Sequence, residues 1–122
     1  MKTGNYMNIE NGQYIAGEFL GVRVEDKTNR NTGETWQEYF FGISIPVRKG
    51  YAGQTVTIDV KLPKAAIESG EQNGVQEYVG KFALVPVNIM ANSYKDKAYV
   101  TNYFDKQRKI ILPNDLKLAK AV

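Results

Sequence analysis

From Gln13 onward, hydrophobic and polar residues alternate with a period of two, which is the pattern of half-buried β-strands. Between Tyr14 and Glu25, Leu20, Val22 and Val24 fall on one side and Phe19 and Arg23 on the other. Gly17 and Gly21 interrupt this strand and predict a bend or bulge, as the sharply curved first strand of a small barrel needs. Asp26 to Thr35 is a polar turn segment. From Trp36 to Val47 alternation resumes, with Tyr39, Phe41, Ile43 and Ile45 on a core side and Trp36, Glu38, Phe40 and Ser44 opposite. The two stretches form a long antiparallel hairpin, closed by Pro46 and Arg48-Lys49-Gly50. Thr55 to Leu62 is the clearest strand: Val56, Ile58, Val60 and Leu62 alternate with Thr55, Thr57, Asp59 and Lys61.

Pro63 to Ser69 then reads as about two helical turns, with proline at the first helical position. An apolar strand region follows from Tyr78 to Met90, expected to break at Pro86, and Ala91 to Lys97 reads as a turn. Ala98 to Phe104 is a last strand rich in aromatic and β-branched residues. The predicted fold is therefore all-β: a small five-stranded OB-like barrel with one short helix between strands 3 and 4. SH3-like barrels and open meanders use similar strands, so the order of elements alone does not establish closure. The domain is expected over 13–113, after a polar, flexible N-terminal arm at 1–12 and before a C-terminal tail at 114–122.

Composition narrows the chemistry. The 122 residues suit one domain, and 43% hydrophobic residues supply one core. The chain has neither cysteine nor histidine. Disulfides, thiolate or imidazole metal sites, and Ser-His or Cys-His nucleophile pairs are therefore excluded. No cofactor motif appears, and Asp59 and Glu38, a conceivable carboxylate pair, read as surface residues. The expectation is a protein that is not an enzyme and needs no cofactor or metal. No apolar run approaches the roughly 20 residues of a membrane-spanning helix, and the N-terminus lacks the apolar stretch of a signal peptide, so a soluble, cytoplasmic protein is expected.

The formal net charge is only +3, but it is unevenly spread: 1–92 carry nine Lys/Arg against ten Asp/Glu, and 93–122 carry seven against three. A localised basic region is the usual footprint of a phosphate-backbone partner, although a solvated lysine-rich tail has the same composition. Binders of single-stranded nucleic acid combine cations along the backbone path with exposed rings on which bases stack. Arg23, Lys27 and Arg30, with Trp36 and Phe40, supply this combination on the first hairpin. Tyr94, Lys95, Lys97, Tyr99 and Tyr103 supply it on the last, and Lys61 lies on the polar face of the third strand. Lys106, Arg108 and Lys109 extend the basic path. The competing account of the rings is a second core, a dimer contact or packing under the N-terminal arm; Phe19, Tyr39 and Phe41 are read as core.

The stretch from Gly17 to Ile45 (GEFLGVRVEDKTNRNTGETWQEYFFGISI) resembles the first hairpin of OB-fold single-stranded DNA-binding proteins. The whole chain, short and cysteine-free, with a late aromatic hairpin and a Leu-Pro near its end, is similar over about 13–113 to the filamentous-bacteriophage proteins of the gene V type. That resemblance implies a cytoplasmic homodimer that coats single-stranded DNA in phage DNA replication. Lys27 and Arg30 would then lie on a DNA-binding wing, Trp36 at its base, and Asn88 to Tyr99 at a two-fold interface. The arm at Met1 to Gly12 and the long segment at Lys64 to Glu77 depart from the short phage proteins. RNA is the close variant as partner, and the alternative function is a protein-interaction or assembly module whose exposed aromatics form an oligomer interface.

Overall fold

The structure, a computed structural model, describes residues 10–113. The strands are β1 (Gln13–Thr28), β2 (Thr35–Pro46), β3 (Thr55–Lys61), β4 (Phe82–Tyr94) and β5 (Lys97–Phe104), with a helix α1 (Lys64–Glu68) between β3 and β4. They close into a barrel in the order β1-β2-β3-β5-β4. Apart from 10–12, the expected arm and tail lie outside the described residues.

Closure depends on β1 serving two partners. Its first half, Gln13 to Glu18, pairs with β4, and from Glu18 on it pairs with β2. The strand bends where the partners change, at a bulge between Phe19 and Gly21. Two glycines permit this. Gly21 has φ +114°, which L side chains avoid. A Cβ on Gly17 would lie 2.5 Å from the Ser44 carbonyl oxygen and 2.7 Å from Ile43 Cγ2, so β1 and β2 can approach here only without a side chain.

The bulge also corrects the expected core. One extra residue reverses the side-chain alternation, so Phe19 is fully buried whereas Leu20 is 45% exposed. Phe19 packs edge-to-face on Phe41 at 5.3 Å, and Phe41 on Phe104 at 5.0 Å. Ile43, Val60, Leu62, Ala66, Val85 and Val87 complete the core, closed at one end by α1. Val22 packs against this core as expected, but Val24 is exposed because β1 and β2 run on past their neighbours. The pairing of β2 with β3 ends at Phe40↔Lys61, so Glu25–Thr28 and Thr35–Glu38 project as a two-stranded ribbon.

Three further boundaries differ from expectation. α1 is a single five-residue turn after Pro63, followed by 3-10 turns at Glu71–Asn73 and Gln76–Tyr78. Pro86 does not interrupt β4: its carbonyl accepts from Asp105 N–H (3.1 Å), just beyond the last β4–β5 pair, Val87↔Phe104, where the ladder has no need of a donor. β4 continues through the predicted turn to Tyr94 and reverses in two residues, Lys95 and Asp96, both at positive φ (49° and 64°), as a tight hairpin turn requires. Past β5, Ile111 pairs with Leu84 of β4.

Candidate nucleic-acid interface

Residues directly opposite one another on neighbouring strands share a face of the sheet. The register therefore sets Arg23 of β1 against Phe40 of β2, Phe40 against Lys61 of β3, Lys61 against Tyr103 of β5, and Tyr103 against Asn88 of β4. This continuous row crosses the outer surface of the barrel. On its β1–β2 side the same face continues along the ribbon through Glu25 and Glu38 to Lys27 and Trp36. On its β4–β5 side it continues through Thr101 and Met90 to Tyr99 and Asn92. Trp36 and Tyr99 are about half exposed, at 45% and 49%.

The ribbon tip is ordered by local hydrogen bonds. Asn29 Oδ1 accepts from Asn31 N–H (2.9 Å) and Thr32 N–H (3.4 Å), the Asn29 carbonyl accepts from Gly33 N–H (2.8 Å), and Asn29 N–H donates to the Glu34 carbonyl (2.8 Å). This fixed turn carries Arg30 in solvent.

Charges on this face are already engaged with one another. The Arg23 guanidinium lies 4.5 Å over the Phe40 ring and bridges Asp59 (3.0 Å) and Glu25 (3.1 Å). Lys27 is 3.7 Å from Glu25. Glu38 Oε2 accepts from Lys61 Nζ (3.2 Å) and from the Trp36 indole N–H (3.3 Å). Partial burial would raise the Glu38 pKa, but the hydrogen bonds from Lys61 and Trp36 and the charges of Lys61 and Lys27 outweigh it and hold the carboxyl below its ordinary value. Loss of solvent disfavours the charged Arg23, yet the hydrogen bonds and charges of Glu25 and Asp59 together raise its pKa on balance. The face can thus offer rings to stack on and cations to share, but those cations have carboxylate partners already.

Of the residues singled out in the sequence, Arg23, Phe40, Lys61 and Tyr103 come together in the row, and Lys27, Trp36 and Tyr99 flank it. Arg30, Lys95 and Lys97 sit apart, at the tips of the two hairpins. The side chain of Tyr94 lies outside the described residues. Arg108 is a correction: it does not extend a basic path but is 7% exposed, donating to Asp105 (2.7 Å) and to the carbonyls of Gln13 (3.1 Å) and Val87 (2.9 Å) over the Tyr14 ring. Lys106 and Lys109 line a separate cleft of about 350 Å³ with Ser69, Glu71 and Tyr78. Sequence reasoning did not place Asn88, Met90 and Asn92 on this face: the resemblance set them in a two-fold interface, and reading Ala91 to Lys97 as a turn cut the alternation short of Asn92. It also missed Tyr51, 88% exposed beside Arg48 and Lys49 in the β2–β3 turn. Among the described residues, no cluster of His, Cys, Asp or Glu could hold a metal ion, and no helix is long and apolar enough to cross a membrane.

Residues 9–111 match a family described as "Putative Gamma DNA binding protein", of the gene V type. The chain is also 28% identical over 90 residues to a DNA-binding protein of the same type from Enterobacteria phage I2-2, covering 73% of this chain and 79% of the relative. No solved structure gives a significant match.

Proposed function

Because the chain belongs to the gene V family of DNA-binding proteins, we propose that it binds single-stranded DNA with little regard to sequence, coating and protecting it during phage DNA replication. The observation that carries this reading is the row Arg23–Phe40–Lys61–Tyr103 with Trp36 and Tyr99 on either side. It alternates cations and rings along one outer face, as a sequence-tolerant single-strand path requires. Bases stack on Trp36, Phe40, Tyr99 and Tyr103. Phosphates meet Arg23, Lys27, Arg30 and Lys61. Lys95 and Lys97 extend the path at the far hairpin. The role is binding without catalysis, in the host bacterial cytoplasm. DNA is the partner favoured by the family; comparing RNA with DNA oligonucleotides of the same length tests the choice.

A second observation favours a homodimer. The β4–β5 hairpin projects with Ile89 and Val100 exposed on the face opposite Tyr99, Val100 at 66%. Apolar surface of this kind on a protruding arm is what an oligomer interface covers. The same exposure is the strongest support for the alternative of an assembly module. A gel shift at low and high salt beside a sizing column separates the two readings. Salt-sensitive retardation of oligo(dT) supports single-strand binding, whereas oligomerisation without it supports the assembly module alone.

A further inference from the structure

We propose that Glu38 and Asp59 act as built-in competitors of the phosphate backbone, holding Lys61 and Arg23 in the free protein and yielding them to a bound strand. This inference rests on the single-strand reading above and names what moderates that site. On the outer face, Arg23, Lys27 and Lys61 are matched by Glu25, Glu38 and Asp59. A surface evolved only to attract a polyanion would not pair its central cations with carboxylates.

The pairs are suited to exchange. Arg23 and Asp59 have side chains 48% and 45% exposed, and ion pairs this open hold weakly in water. A phosphate can therefore take the guanidinium while Asp59 returns to solvent. Glu38 is the firmer competitor, because its side chain is 20% exposed and accepts from both Lys61 and Trp36. Lys61 and the Trp36 indole N–H donate to the same Glu38 oxygen, so a strand that draws Lys61 away leaves Trp36 as that oxygen's remaining donor and couples the phosphate and stacking contacts through one carboxylate. Once displaced, each carboxylate stays on the face and opposes the bound phosphates. Affinity is thereby set below what the cations alone would give, and casual binding of other polyanions is suppressed.

The test compares Glu38→Gln, Asp59→Asn and the double variant with the parent, using fluorescently labelled oligo(dT) and anisotropy at fixed salt. Glutamine keeps an acceptor for the indole, and asparagine does not touch Trp36. Glu68→Gln is the control: Glu68 pairs with Lys64 on α1, away from the row, and its loss changes the net charge equally. Each site variant should bind roughly 3- to 10-fold tighter than the control, and the double variant tighter still. Binding no tighter than that of the control, or weaker, while the parent binds well, overturns the competitor role and leaves single-strand binding standing. Failure of the parent and every variant to bind overturns both.

Discussion

Replacing Arg108 by alanine separates the residues that hold the barrel from those that face a strand. The guanidinium is almost fully buried and joins three elements: it donates to the carbonyls of Gln13 in β1 and Val87 in β4, and to Asp105 at the end of β5. Burial works against its charge, but Asp105 and Tyr14 more than compensate, so it stays protonated. Alanine leaves two carbonyls without this donor and a carboxylate without its cation. Breaking a buried pair from one side costs about 3–5 kcal/mol. The lower end applies, because Asp105 is 14% exposed and water can reach it. A loss of about 3 kcal/mol should lower Tm by on the order of 12 °C for a domain of this size. Thermal and urea unfolding measure it, the urea slope staying unchanged if the folded state is intact. Well below the new Tm, affinity for oligo(dT) should match the parent. A variant as stable as the parent but deficient in binding would refute this account and return Arg108 to the basic path.

Asp105 adds a pH dependence whose sign is fixed. The hydrogen bond from Arg108 lowers its pKa, so its contribution is fully present above the ordinary aspartate range and fades as pH falls through the lowered value. Asp105→Asn should thus be less stable than the parent at about pH 7, with a smaller gap at about pH 3; a constant gap would contradict the pairing. Gly17→Ala should destabilise the domain by about 1–3 kcal/mol in urea unfolding, since its Cβ meets backbone at Ser44 that cannot move aside; a neutral result would mean the strands can separate. Asp96→Gly should raise stability by roughly 0.5–1 kcal/mol by relieving the positive φ of the hairpin turn, with unchanged stability arguing against that turn. Trp36→Ala should weaken oligo(dT) binding by about 1–3 kcal/mol without altering Tm by more than a few degrees, and full-strength binding would remove Trp36 from the stacking path.

The architecture was legible because alternation names strands and their inward faces wherever a strand stays regular. Phe41, Ile43, Val60 and Leu62 are buried as the pattern requires. It failed at Leu20, where a bulge shifts the alternation by one residue and the local sequence offers only Gly21 as a signal, although Phe19 beside it is buried as read. It failed again at Pro86, because the cost of proline in a strand depends on whether the neighbouring ladder needs its N–H, a matter of tertiary pairing. For the candidate site, residue types were readable but their company was not. That Phe40, Lys61 and Tyr103 lie side by side follows from register among strands far apart in sequence. Arg108 resembles its basic neighbours in every local respect, and only its depth distinguishes it. The distant carboxylate partners, Asp59 for Arg23 and Glu38 for Lys61, were invisible for the same reason: they reach across 36 and 23 positions of chain.

On the single-strand reading, one face of this barrel, flanked by Trp36, receives the nucleic acid. Titration with single-stranded and duplex oligonucleotides, following the fluorescence of the chain's single tryptophan, tests it most directly. Oligo(dT) should quench the emission, and duplex should quench it much less. Affinity should fall with salt, with a log–log slope of about −0.7 for each phosphate neutralised. Unchanged Trp36 emission at saturating oligo(dT), or binding indifferent to salt, would contradict that reading.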